Sequence, residues 1–94
     1  MHIISKKKIT DFIKEHPDSE SSLFGWYSIV NTETLSDFNE LRNWFPNADL
    51  VGRRTVFNIS GNKYRMITRI NFISKRIFIL YILTHSEYSN NKWK

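Results

Sequence analysis

Residues 55–72 read TVFNISGNKYRMITRINF, and residues 75–88 read KRIFILYILTHSEY. Ser60-Gly61-Asn62 stands between two runs rich in β-branched and aromatic residues, and glycine and asparagine tolerate the positive φ that a tight hairpin demands. A strand is therefore predicted over Arg53–Ile59 and a return strand over Lys63–Phe72. Alternation along the return strand puts Tyr64, Met66, Thr68, Ile70 and Phe72 on one face and Lys63, Arg65, Ile67, Arg69 and Asn71 on the other. Ser74-Lys75 makes the next turn, and Arg76–Thr84 is a third strand. That strand is apolar on both faces, which predicts a central place in the sheet. The ten residues from His85 are polar around Trp93 and read as a short helix or a tail.

Working upstream, the period becomes helical. His2-Ile3-Ile4 is a short edge or starting strand. Ser5 is placed as the N-cap of a helix with Ile9, Phe12 and Ile13 on one face, and Pro17 stops it. Asp18 or Ser19 caps a second helix whose apolar stripe is Leu23, Phe24, Trp26, Tyr27 and Val30. Thr34 or Ser36 opens a short third helix that buries Phe38, Leu41 and either Trp44 or Phe45, and Pro46-Asn47 ends it. With 94 residues, no internal repeat and no low-complexity linker, the chain is expected to be one domain over residues 1–94. The fold class is α+β: N-terminal helices packed on a small antiparallel sheet formed mainly by the C-terminal half.

Charge divides along the same line. Residues 51–94 hold nine Lys and Arg against Glu87 alone, a formal +8, whereas residues 1–50 hold five against eight acids, a formal −3. A cationic, strand-rich half suits a polyanion such as a phosphate backbone, and an acidic half does not. Aromatics make up 15% of the chain, enough to build a packed core at this length. Zero cysteines exclude disulfides, a thiolate nucleophile and thiolate metal sites. The longest apolar run, Ile77–Leu83, is far short of the roughly 20 residues that a membrane helix needs. MHIISKKK at the start lacks the apolar stretch of a secretory signal, so a cytoplasmic location is expected.

Several chemistries lack their residues. His2, His16 and His85 fit no metal-ligand spacing, so no metal is expected. Gly25, Gly52 and Gly61 are isolated, so no glycine-rich phosphate loop exists, and the GxSxG elbow of a serine hydrolase is missing. No cofactor is expected. Arg65, Lys63, His85 and Tyr88 remain. Cutting RNA without a metal requires a base for the 2′-hydroxyl proton, an acid for the 5′-oxygen, and fixed positive charge for the extra negative charge on phosphorus. Histidine serves as acid or base near neutrality. Arginine presents a bidentate fork to phosphate, lysine a point charge, and tyrosine a ring that positions or stacks a base. The blander alternatives are a solvated sheet face for Arg65 and Arg69, a strand-end histidine, a tyrosine plugging the C-terminal segment, and a lysine partner for Glu87.

VFNISGNKYRMITRI (56–70), followed by a hydrophobic strand and LTHSEY (83–88), resembles the HigB toxin family, a branch of the RelE-like toxins of bacterial toxin–antitoxin pairs. Leu23, Trp26-Tyr27 and Phe45-Pro46-Asn47-Ala48-Asp49 extend the resemblance over nearly the whole chain. It implies a compact RelE-like α+β fold and an mRNA interferase that cuts messenger RNA in the ribosomal A site without metal. The implied partners are that message and a HigA-type helix-turn-helix antitoxin. By the same resemblance Arg65, after the aromatic Tyr64, stabilises phosphate, His85 transfers a proton, and Tyr88 stacks or orients a base, with Lys63 beside them. Arg53, Arg54, Asn62, Arg69 and Lys92 are the candidates for further RNA contact. Where many RelE-like toxins carry lysines before the hairpin, this chain has Val56, Phe57 and Asn58, which leaves the general base unassigned. The alternative function is a non-catalytic RNA- or ribosome-binding module using the same cations.

Overall fold

The computed structural model describes residues 1–94 as an α+β domain. The chain runs β1 (His2–Ile4), α1 (Lys7–Glu15), a 3₁₀ turn (Pro17–Ser19), α2 (Glu20–Thr32), α3 (Phe38–Trp44), β2 (Asp49–Val51), β3 (Arg54–Ile59), β4 (Tyr64–Asn71), β5 (Arg76–Thr84) and α4 (His85–Ser89). The five strands form one sheet in the order β1-β5-β4-β3-β2. From β2 to β5 it is the expected antiparallel meander, and β1 adds in parallel along Arg76–Phe78 of β5. The hairpin between β3 and β4 turns where Ser60 and Gly61 both take positive φ.

Alternation places Phe57, Ile59, Tyr64, Met66, Ile77 and Ile79 on one sheet face, where they pack against Ile9 of α1, Leu23, Trp26 and Val30 of α2, and Leu41 of α3. The unbroken apolar run of β5 is reconciled with a two-faced sheet by a bulge. Between Ile67 and Thr68 the β4 partner shifts from Tyr81 to Ile79, so Leu80 is the extra residue and Ile82 and Ile79 both face the core.

Several local expectations are corrected. The predicted strand over Arg53–Ile59 is β3 less its first residue, and a further strand, β2, precedes it: Gly52, at φ +64°, lets the chain fold back between the two, and Arg53 falls in that turn. Ser5 does not cap α1. It has positive φ at the β1–α1 junction, and Lys6 takes the cap position without a side-chain bond. α3 is opened by Asp37, not Thr34 or Ser36, because the Asp37 carboxylate accepts from the Glu40 N–H at 2.8 Å while Glu40 reaches back to the Ser36 N–H. Phe45 packs edge-on against Phe57, whereas Trp44 and Phe24 are exposed. The central strand is β4. β5 is flanked by β1 over three residues only, and its outward Phe78 and Tyr81 stay partly in solvent.

On the opposite sheet face lies a second, small core. Trp93, from the tail beyond α4, is buried to 5% exposure against Val56 and Ile67, with Val51, Leu83 and Tyr88 around them. Truncating a buried Trp costs about 3–5 kcal/mol. The small size of this cluster puts Trp93→Ala near the lower end, about 3 kcal/mol, a large share of the roughly 5–15 kcal/mol that holds such a domain folded. The expected result is a lower urea midpoint at constant slope. An unchanged midpoint would show that the tail is not part of the core.

Candidate active site

β4 and β5 align Tyr64 with Thr84 and Arg65 with Leu83, so the start of β4 and the end of β5 lie side by side. Thr84 then caps α4. Its hydroxyl accepts from the Glu87 N–H at 3.2 Å, and the Glu87 carboxylate accepts from the Thr84 N–H at 2.9 Å. Glu87 is therefore engaged with the backbone, not with a lysine as the blander reading expected. The His85 N–H donates to the Lys63 carbonyl at 3.1 Å, fastening the first residue of α4 to the hairpin loop.

One turn later Tyr88 stacks on Trp93, with ring centres 5.0 Å apart and planes 13° from parallel, and the Trp93 indole N–H donates to the Tyr88 carbonyl at 2.9 Å. The Arg65 guanidinium carbon lies 5.4 Å from the Tyr88 ring centre. Its Nη1 donates to the carbonyls of Asn62 at 2.9 Å and Tyr64 at 3.2 Å, which aims the group along the hairpin. The Asn62 side chain lies within 3.5 Å of Arg65 Nη2 and accepts from Asn58 Nδ2 at 3.4 Å. Asn62 thus orients Arg65. The His85 ring is exposed, and its one hydrogen-bond contact is Ser89 Oγ, 3.3 Å from Nδ1. No group of three His, Cys, Asp or Glu is arranged to hold a metal ion.

Lys63 behaves differently from the alternation pattern. It lies in the hairpin loop, not on the strand face with Arg65, and its ammonium is bonded to Asp18 in the 3₁₀ turn. The Tyr64 hydroxyl donates to the same carboxylate at 2.8 Å and 3.0 Å, and its ring packs with Phe12 and His16. The hydrogen bond from Lys63, then that from Tyr64, lowers the Asp18 pKa; the bond to Asp18 raises that of Lys63; burial first, then Asp18, raises that of Tyr64. Asp18 thus stabilises the fold above its unfolded value and loses that contribution as pH falls through its lowered folded value. Lys63 and Tyr64 contribute below their unfolded values and lose it as pH rises through their raised ones. The stability gap between wild type and Asp18→Asn is expected to be steady from about pH 5 to 9, and to narrow below about pH 4 and above about pH 10. Thermal midpoints across pH check this, and a gap that does not narrow at all on acidification would remove the ion pair from the account.

Residues 19–91 match the sequence family described as HigB toxin, the RelE-like toxic component of a toxin-antitoxin system. The chain belongs to the HigB toxin family. A relative named mRNA interferase HigB, from Escherichia coli O6:H1, is 35% identical over 91 residues, spanning 94% of this chain and 88% of its own. The mRNA interferase toxin HigB of Escherichia coli K12 and the mRNA interferase HigB of Shigella flexneri are each 26% identical over 91 residues, with the same coverage.

In this HigB-family chain the remaining RNA-contact candidates are dispersed. Ile67, between Arg65 and Arg69 on the strand face, is buried beneath Trp93, so an apolar ridge divides the predicted cationic stripe. Arg69 gathers beyond the ridge with Arg53, Arg54 and Lys94. Lys92 lies elsewhere, beside α4 in a shallow hollow with Leu83 and Glu87. Sequence reading missed Trp93 and Asp18. A lone Trp in a polar tail was the available signal for the first. Asp18 is 45 residues from Lys63 and carried none.

Proposed function

We propose that this toxin is an mRNA interferase: a metal-independent endoribonuclease that cuts messenger RNA held in the ribosomal A site, in the cytoplasm, until a HigA-type helix-turn-helix antitoxin neutralises it. The observation that carries the reading is Arg65 held 5.4 Å from Tyr88, on the hairpin whose loop is fastened to His85. Relatives whose names include mRNA interferase support the same chemistry.

In the proposed reaction the 2′-hydroxyl loses its proton and attacks the adjacent phosphorus, and the bond to the 5′-oxygen breaks. The products are a 2′,3′-cyclic phosphate and a 5′-hydroxyl. His85 delivers the proton to the departing 5′-oxygen. Arg65 offsets the charge that builds on the pentacoordinate phosphate. Tyr88, with one face taken by Trp93, orients the nucleotide with its remaining surface. Lys63, whose ammonium is held by Asp18 on the helix side, neither serves as the base nor meets the phosphate, which leaves the fixed charge to Arg65. No side chain is assigned as the acceptor of the 2′-hydroxyl proton. No metal is invoked because the site offers a guanidinium, an imidazole and a phenol, and the nearby carboxylates are committed, Glu87 to capping α4 and Asp18 to Lys63 and Tyr64. Brief expression without antitoxin, followed by mapping of message 3′ ends, tests the proposal: cuts at fixed codon positions are expected, and intact messages on stalled ribosomes would overturn it.

A further inference from the structure

On the far side of the Val56–Ile67–Trp93 ridge lies an open cleft of about 490 Å³, walled by Arg53, Arg54, Arg69 and Lys94 with Val51 and Trp93 between them. Three elements that are remote in sequence build it: the β2–β3 turn with its flanking residues, the C-terminal part of β4, and the tail. No side-chain carboxylate lines the cleft, and none of its four cations is in an ion pair, the only one in the chain being Lys63–Asp18 on the helix side. One Arg54 N–H is spent on the Trp93 carbonyl, which closes the tail over the sheet. Arg53 and Arg69 make no side-chain hydrogen bond and are exposed. Four like charges brought together around an apolar floor repel one another unless an anion joins them.

We infer that this cleft is a second backbone-phosphate subsite for RNA, separate from the Arg65–Tyr88 centre. It rests on the proposed RNA-cleaving reading and extends it. Arg65 and Arg69 are four residues apart on β4, or about 13 Å, so one phosphate cannot touch both. The intervening ridge has Trp93 as its buried crest. A bound strand must therefore pass over the tail that seals this ridge between two cationic stations, which sets its direction over the sheet. The phosphates come either from the message itself, beyond the cleaved bond, or from structured ribosomal RNA.

The test uses full-length toxin carrying His85→Ala to prevent cutting. Binding to a single-stranded RNA and to ribosomes is measured across salt concentrations, with and without Arg53→Ala and Arg69→Ala together. Losing two phosphate contacts should flatten the plot of log affinity against log salt by about 1.4 on a single strand, or about 1.8 on duplex RNA if it follows the duplex-DNA value. A flatter slope on free RNA identifies the message as the source. A flatter slope on ribosomes alone identifies ribosomal RNA. Arg53→Lys with Arg69→Lys should keep the original slope. Unchanged slopes in both settings would overturn the inference, whereas undiminished toxicity of Arg65→Ala would instead overturn the cleavage reading on which it rests.

Discussion

His85→Ala is expected to leave a folded protein that no longer arrests growth, with cleavage reduced by about 10²- to 10⁴-fold, the span usual for loss of a general acid or base. The ring can be removed without disturbing the fold because it is exposed and its one hydrogen-bond contact is Ser89 within α4. Its backbone N–H, which ties α4 to the Lys63 carbonyl, survives the substitution. The α4 cap is also intact, since it is made by Thr84 and Glu87. Far-ultraviolet circular dichroism should match wild type while the mapped 3′ ends disappear. Cleavage at wild-type level would mean that the proton reaches the 5′-oxygen by another route, and His85 would lose its role.

Arg65→Ala should lower cleavage by about 10²- to 10³-fold, the usual cost of removing one preorganised donor to a developing charge. Arg65→Lys should recover only part of this. A lysine restores charge, but it cannot keep two N–H groups on Asn62 and Tyr64 while presenting a planar fork to phosphate. Stability should fall little, because the guanidinium bonds only local carbonyls at the edge of the domain. The two substitutions separate by pH: with Arg65→Ala the pH profile of residual cleavage keeps the shape set by the proton donor, and with His85→Ala that limb is lost. If Arg65→Lys were as active as wild type, simple charge would suffice and the fork geometry would be irrelevant.

Much of this site was legible in one dimension. Ser60-Gly61-Asn62 marks the hairpin, and the hairpin puts Arg65 at the start of a strand. The next strand ends at Thr84, so His85 and Tyr88 return to the same edge. What alternation misjudged was the uniformity of the face. Lys63, Arg65 and Arg69 look equivalent at spacing two and four, but Lys63 sits in a loop where a turn, not a pleat, sets its direction. Ile67 shows the converse: it lies on the nominally outward face and is fully buried, because a tail returns to cover it.

The order of residues was enough for the class of fold, the hairpin at its centre, the concentration of cations in the second half, and the placing of Arg65 beside the strand end that leads into His85 and Tyr88. These follow from period, turn chemistry and charge, which are local properties of a chain. Folding in three dimensions was needed to join β1 in parallel, to hold Lys63 and Tyr64 on Asp18, and to bring Trp93 back so that it splits the cationic face in two. Each of those depends on contacts between residues tens of positions apart, whose energy comes from burial and pairing in the folded state.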